Sequence, residues 1–226
     1  MVVNLHRQKV VNLNQQHMVN LNRQKVVRLT EVCNILLFVS LNVSSQSLDG
    51  FFGMRFGCSL DSVKKVMLAK PECKIDQKNS NEALLVFTGI SFAGRNTLFI
   101  SFDFINRKFH TGSVYFDAGL ESKVIDYYTE IKNELNEKYY KSILDFELYK
   151  EPYKKGDGYT ESAIKLGKAT FSTYWTFKNA KQKSDEENNS IALVINERLR
   201  VVLSYQDGVL ITEAIEKVKS KNLKDY

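Results

Sequence analysis

Between Thr97 and Ile105 apolar side chains fall on every second residue, with Phe99, Ser101 and Asp103 set between Leu98, Ile100, Phe102 and Phe104. Successive side chains of a strand point to opposite faces, so this alternation indicates an antiparallel sheet with one well-buried face. Strand-like runs flank it at Ala83–Phe92 and Phe109–Asp117, divided from it by Ala93-Gly94-Arg95-Asn96 and by Asn106-Arg107. Three further runs, Thr170–Phe177, Ser190–Asn196 and Arg200–Gln206, are separated by the polar stretch Lys178–Asn189 and the short turn Glu197-Arg198. Residues of those types break strands and form turns.

Helical periodicity occupies the intervals. Leu60–Ala69 follows a capping Ser59, has Asp61 at the positive end of the helix dipole, and stops before Pro71. Its expected buried stripe is Leu60, Val63, Val66 and Met67. Over Leu120–Tyr140, the residues Leu120, Val124, Tyr128, Ile131, Leu135 and Tyr139 recur at steps of three and four. A last helix is expected over Thr212–Lys221. The predicted order is helix, three strands, helix, three strands, helix. That is an α+β fold with antiparallel sheet and helices on one face, built as one curved sheet or as two similar halves, 50–118 and 119–226.

The apolar run Cys33–Val43 decides which residues belong to that fold. Arg23, Lys25 and Arg28 precede it, and Val43-Ser44-Ser45-Gln46 closes it with small residues. A charged lead-in, a short apolar run and a small-residue end describe a cleaved export signal over residues 18–45, with Gln46 as the new N-terminus. A membrane span needs about 20 apolar residues, and this run is roughly half that. A buried or interfacial segment, since Glu31, Asn34 and Asn42 dilute the run, and a retained anchor are the other readings.

An eight-residue repeat stands before the signal: Val2–Lys9, Val10–His17 and Met18–Lys25, decaying through Val26-Val27-Arg28-Leu29. Eight residues overshoot two helical turns, so its apolar cluster drifts around the axis. Three copies of so short a unit are too few for a solenoid. Met18 gives a leader of ordinary length, which makes residues 1–17 a dispensable extension.

The whole chain carries 32 basic and 26 acidic residues, a net charge of +6. Five of the basic residues and one acidic residue lie in residues 1–45, leaving 27 against 25 and a net charge of +2 in the mature part. The basicity sits largely in the discarded segment, so nucleic acid is not an expected partner. Of the two cysteines that survive cleavage, Cys58 and Cys73, spacing leaves both a tight bridge and two separate thiols open.

No motif carries a named chemistry, and no cofactor is implied. With a single histidine after residue 45, His110, the set Cys58, Cys73 and His110 lacks the close-pair spacing of a zinc site. A two-residue turn at Asn106-Arg107 would set Asp103 directly across from His110, with Ser101 diagonal to it. A serine in mid-strand lacks the sharp turn and oxyanion donors of a nucleophile, so the arrangement reads as a cross-strand polar pair on the outside of a sheet. Glu130, Glu134 and Glu137 offer carboxylates for a glycosidase, but among Lys132, Lys138 and Lys141 they read as a solvated helix face. The most distinctive loop runs from Tyr149 to Tyr159. There Tyr149, Lys150, Tyr153, Lys154, Lys155 and Tyr159 interleave rings and cations around Gly156-Asp157-Gly158. Such platforms grip sugars, bases or partner proteins, although the tyrosines of a plain connector would pack back on the sheet.

The opening Gly53-Met54-Arg55-Phe56-Gly57-Cys58-Ser59, followed by Val63-Lys64-Lys65, resembles the start of small exported α+β domains of Bacteroides-type bacteria. Trp175-Thr176-Phe177 and Val202-Leu203-Ser204-Tyr205-Gln206-Asp207 are similar to their second half. The order of a helix and then an antiparallel sheet also resembles outer-membrane assembly lipoproteins and β-lactamase-inhibitor proteins, which are binding modules. The lipoproteins' anchoring cysteine is absent from the end of this leader. The resemblance implies an exported, non-enzymatic domain that binds a protein or an envelope component in the periplasm or at the cell surface. An envelope-polymer hydrolase is the alternative, and a cytosolic nucleic-acid binder a third.

Overall fold

The computed structural model describes residues 47–179 and 181–223; the repeat and the expected export signal lie outside them. The chain opens with a tight hairpin, β1 (Gly50–Phe51) and β2 (Met54–Arg55), and then enters α1 (Leu60–Leu68). Ser59 caps α1, its Oγ accepting from the Ser62 N–H at 3.2 Å. Leu60, Val63 and Met67 are buried, while Val66 is turned outward, 39 % exposed. Positions 60, 63 and 67 already complete one stripe at steps of three and four, and Val66 falls beside it.

Next come β3 (Lys74–Ile75), β4 (Leu84–Thr88), and a small separate hairpin of β5 (Ser91–Phe92) and β6 (Arg95–Asn96). The run expected to continue from Ala83 to Phe92 breaks at Gly89, whose φ of +75° turns the chain out of the strand. The two long strands β7 (Phe99–Ile105) and β8 (Lys108–Asp117) meet at Asn106-Arg107, both at positive φ, the geometry of a two-residue hairpin turn. A short 3₁₀ turn leads into α2 (Val124–Lys138), which buries Val124, Tyr128, Ile131 and Leu135. Leu120, expected to open that helix, precedes it and is 67 % exposed.

Two elements went unread in the sequence. One is β9 (Leu144–Tyr149), and the other is the short helix α3 (Thr160–Lys165). The remaining strands are β10 (Ala169–Phe177), β11 (Asn189–Ile195) and β12 (Arg200–Gln206). The last helix, α4 (Gly208–Leu223), begins four residues earlier than expected because the Asp207 carboxylate accepts from the Leu210 N–H and caps it.

Eight strands make one antiparallel sheet in the order β3-β4-β7-β8-β12-β11-β10-β9. The fold is α+β with four α-helices among the described residues, and the extra elements replace the expected run of helix and three strands. One face of the sheet forms the core. Phe102, Gly112, Tyr205, Ile191 and Trp175 stand in register across five strands of it. Phe51 lies over Gly112, tilted against Phe102 and Tyr205 with ring centroids 5.5 and 5.1 Å away. The helix α2 covers the far half of that face. Trp175 Nε1 donates to Asn136 Oδ1 and to the Tyr140 carbonyl, and Tyr139 packs edge-on against Phe177.

Candidate contact surface

The opposite face differs in composition and in what its side chains touch. In the β-sheet register Ser101, Ser113, Ser204, Ala192 and Tyr174 form one row across β7, β8, β12, β11 and β10. The neighbouring row runs Phe99, Tyr115, Val202, Val194, Ser172 and, on β9, Phe146. On the other side stand Asp103, Thr111, Gln206, Ser190 and Thr176. A floor of small side chains is thereby bounded at both ends by aromatics. Phe99 and Tyr115 are stacked at 4.2 Å and 23°, and Phe146 meets Tyr174 edge-on at 6.3 Å.

The polar groups of the floor are satisfied within the sheet: Ser113 and Ser204 share a hydrogen bond of 2.8 Å, and Ser190 Oγ donates to Gln206 Oε1 at 3.1 Å. The ring contacts Phe99–Tyr115 and Phe146–Tyr174 and the bonds Ser113–Ser204 and Ser190–Gln206 join strand to strand, while Thr111 bonds to its neighbour His110 within β8. Arg200 stands across from Asp117, so positive charge at the rim is matched by negative charge.

The expected opposition of Asp103 and His110 does not form. The turn residues are those expected, but the register shifts by one between Asp103 and Phe104. Asp103 faces Thr111, Phe104 faces Phe109, and His110 is the extra residue of a β-bulge. Ser101 faces Ser113. His110 Nδ1 instead lies 2.9 Å from Thr111 Oγ1, and its carbonyl accepts from the Asp207 N–H at 2.9 Å. Burial acts on both ionisable groups of the bulge. It pushes the half-buried Asp103 carboxyl up to about 7 and the His110 imidazole down to about 4. Burial also raises the Tyr115 phenol; the nearby Asp103 charge adds to that, while Ser101 and Arg200 oppose it.

The Tyr149–Tyr159 loop joins β9 to α3, and its candidate residues separate into two groups. Tyr149 and Tyr153 pack back on the core, Tyr149 edge-on to Phe171 and 3.2 Å from Thr160 Oγ1. Lys155 pairs with Glu147 at 2.6 Å. Lys150 and Lys154 are exposed, and Tyr159 is 63 % exposed. Asp157 braces the turn by accepting from the Lys154 and Tyr159 N–H groups. The loop therefore sets Lys155 beside the β9 edge and turns Tyr159 outward, without gathering the six residues into one platform.

Two of the three glutamates singled out on α2, Glu130 and Glu134, have a structural partner. Glu134 holds Arg95 in a two-pronged bond of 2.9 and 2.8 Å, and Glu130 reaches the same guanidinium at 3.0 Å, pinning the β5–β6 hairpin to the helix. Cys58 and Cys73 are separate half-buried thiols, each raised by burial. No group of three potential metal ligands occurs among the described residues, and no described helix is long and apolar enough to cross a membrane.

A depression of about 530 Å³ lies between α1 and the β3–β4 edge, with Asp61, Lys64, Glu82 and Arg107 on its rim. Arg107 stands 3.8 Å from Asp61 there. Asp103, the carboxyl raised by burial, does not line it. No family model matches the chain, and no curated protein or solved structure matches it significantly.

Proposed function

We propose that the chain is an exported, non-enzymatic binding domain whose contact surface is the second sheet face, with a protein or envelope component as its partner. The observation that carries this reading is the row Ser101, Ser113, Ser204 and Ala192, a floor of small side chains between two aromatic pairs. The partly exposed rings Phe99, Tyr115, Phe146 and Tyr174 stand at the ends of a floor whose serines are nearly buried and bonded to one another, so the face offers a partner chiefly apolar contact area. Arg200 stands across from Asp117, so positive charge on that strand pair has negative charge opposite it, which does not favour a phosphate polymer. Export is supported by the sequence alone, through the charged lead-in, the apolar run Cys33–Val43 and the small residues that end it.

The test has two arms. Chain recovered from its host by cell fraction is expected to begin at Gln46 and to sit outside the cytoplasm. The purified chain is expected to be retained on host envelope fractions. The double variant Phe99→Ala/Tyr174→Ala should lose that retention, whereas Lys64→Ala at the α1 depression should keep it. A cytosolic chain with an intact N-terminus ends the export reading; equal retention of both variants ends the assignment of the face.

A second reading rests on Asp103. A carboxyl held near pH 7 beside Ser101 and Tyr115 has the protonation behaviour of an acid–base catalyst. A hydrolytic activity on envelope polymers that Asp103→Asn abolishes would replace the binding reading.

A further inference from the structure

The strand β9 is the outer edge of the sheet, paired on one side with β10 and with no strand on its other side among the described residues. Native edges of this kind are usually blunted by proline, lysine or unpaired charge. In β9, Leu144-Asp145-Phe146-Glu147-Leu148-Tyr149, no proline or basic residue occurs, and both charges are already spent inside the fold. Asp145 pairs with Lys132 at 2.9 Å, and Glu147 pairs with Lys155 at 2.6 Å. Two of the seven large apolar side chains left exposed among the described residues belong to this edge: Leu148 within the strand and Ile143 immediately before it.

The strand is self-complementary. The Lys150 N–H donates to the Lys168 carbonyl opposite it. By the alternation of an antiparallel ladder, the N–H and C=O groups of Leu144, Phe146 and Leu148 therefore bond inward to β10, and those of Asp145 and Glu147 point out of the edge. A second copy running antiparallel, with its Phe146 across from Phe146, meets those outward groups with its own Glu147 and Asp145. On one face Leu144 then packs on Leu148 of the second copy, and the two Phe146 rings meet at the two-fold axis. On the other face two Lys–carboxylate pairs lie beside two more, so each carboxylate brought opposite another arrives with its own cation.

We propose that the protein is a two-fold symmetric dimer joined through β9, which extends the eight-stranded sheet across both subunits. An isologous interface requires one patch to be complementary to itself, and this register supplies that with backbone bonds, an apolar row and balanced charge. The proposal shares Phe146 with the second sheet face, but its test reads mass and cross-linking and so stands or falls apart from retention by that face.

The test uses the full chain. Light scattering at micromolar concentration is expected to give twice the intact mass found by mass spectrometry. Leu148→Lys, a change at an exposed position, should weaken the dimer on the order of tenfold or more while leaving circular dichroism and Trp175 fluorescence unchanged. Phe146 would be a non-hydrogen-bonded pair with itself, with Cα atoms about 4.5 Å apart, inside the roughly 4.4–6.8 Å range of disulfides. Phe146→Cys should then oxidise to a covalent dimer. Leu144→Cys and Leu148→Cys should each fail alone and link when mixed, and the parent chain with Cys33, Cys58 and Cys73 should not link. A monomer, including one whose edge takes up another protein's strand instead, overturns the proposal. So does a dimer that persists in Leu148→Lys without a Phe146→Cys link.

Discussion

Lys132 Nζ lies 2.9 Å from Asp145 Oδ2, joining the middle of α2 to the outermost strand of the sheet. The contact continues inward. Thr173 Oγ1 donates to Asp145 Oδ1 at 2.8 Å, and therefore accepts from the buried Tyr128 hydroxyl at 2.5 Å. Burial acts to raise the Asp145 carboxyl, but the bonds from Lys132 and Thr173 outweigh it and hold the pKa below the usual aspartate value. A depressed carboxyl contributes stability above its unfolded pKa and loses it as pH falls through the folded value. Half of the Asp145 side chain is exposed, so the pair is worth about 0.5–1 kcal/mol rather than the figure for a buried one. Lys132→Met should lose that amount in urea unfolding at pH 7, and the gap from the parent should close below about pH 4. A gap that stays constant down to pH 2 would mean the lysine acts by packing its alkyl stem.

Gly112 is the second point where geometry leaves little freedom. A β-carbon placed there would sit 2.1 Å from the Phe51 ring. The ring has nowhere to retreat, because Phe102, Phe92 and Tyr205 surround it. Gly112→Ala should therefore cost about 1–3 kcal/mol, the usual range for overpacking. The smaller ring site in Phe51→Ala/Gly112→Ala should restore part of the loss relative to Phe51→Ala alone. Additive losses in the double variant, read by urea midpoints, would show that the two positions do not share one space.

Trp175, the single tryptophan, is fully buried with its Nε1 shared between Asn136 and the Tyr140 carbonyl. Its fluorescence should be blue-shifted in the native state and move red in a single transition, since it sits where α2 meets the centre of β10. Trp175→Phe removes the donor and part of the ring volume and should cost about 2–3 kcal/mol. A red-shifted native spectrum would contradict the packing of α2 on that face.

The sheet was legible where alternation was strict and turns were marked. The strand Arg200–Gln206 has the bounds its pattern predicts, and the Asn106-Arg107 turn forms as its length requires. β9 was hidden because an edge strand buries one flank only. In Leu-Asp-Phe-Glu-Leu-Tyr the apolar residues alternate with acids, and half the strand remains exposed. α3 was hidden by its shortness, since six residues hold too few turns for a period to show. The bulge at Asp103 could not be read at all. A one-residue register shift is decided by what each face must bury, and here Phe104 and Phe109 both go to the core, which expels His110 from the ladder. The site suffered for the same reason. The Tyr149–Tyr159 loop stood out by composition, while the serine row depends on register across four strands and has no local signature.

The bulge sets two opposed titrations side by side. Asp103, raised to about 7, holds its proton in the folded state at pH values where the unfolded chain has released it. It therefore makes the protein less stable as pH rises from about 4 to 7. His110, lowered to about 4, stays neutral in the folded state at pH values where the unfolded chain is protonated. It makes the protein less stable as pH falls from about 6.5 to 4. Each slope is at most about 1.4 kcal/mol per pH unit, reduced by the solvent contact both half-buried side chains keep. In the parent chain the two largely cancel, so stability should be nearly flat between about pH 4.5 and 6.5 as far as these groups decide it (the span between their reference values). Asp103→Asn leaves the histidine alone, and its urea midpoint should fall on acidification across that window. His110→Asn keeps a side chain able to meet Thr111 and leaves the aspartate alone, so its midpoint should rise on acidification. The two variants should thus diverge from the parent in opposite directions. Curves that run parallel to the parent's would show that neither group carries its shift in the folded protein.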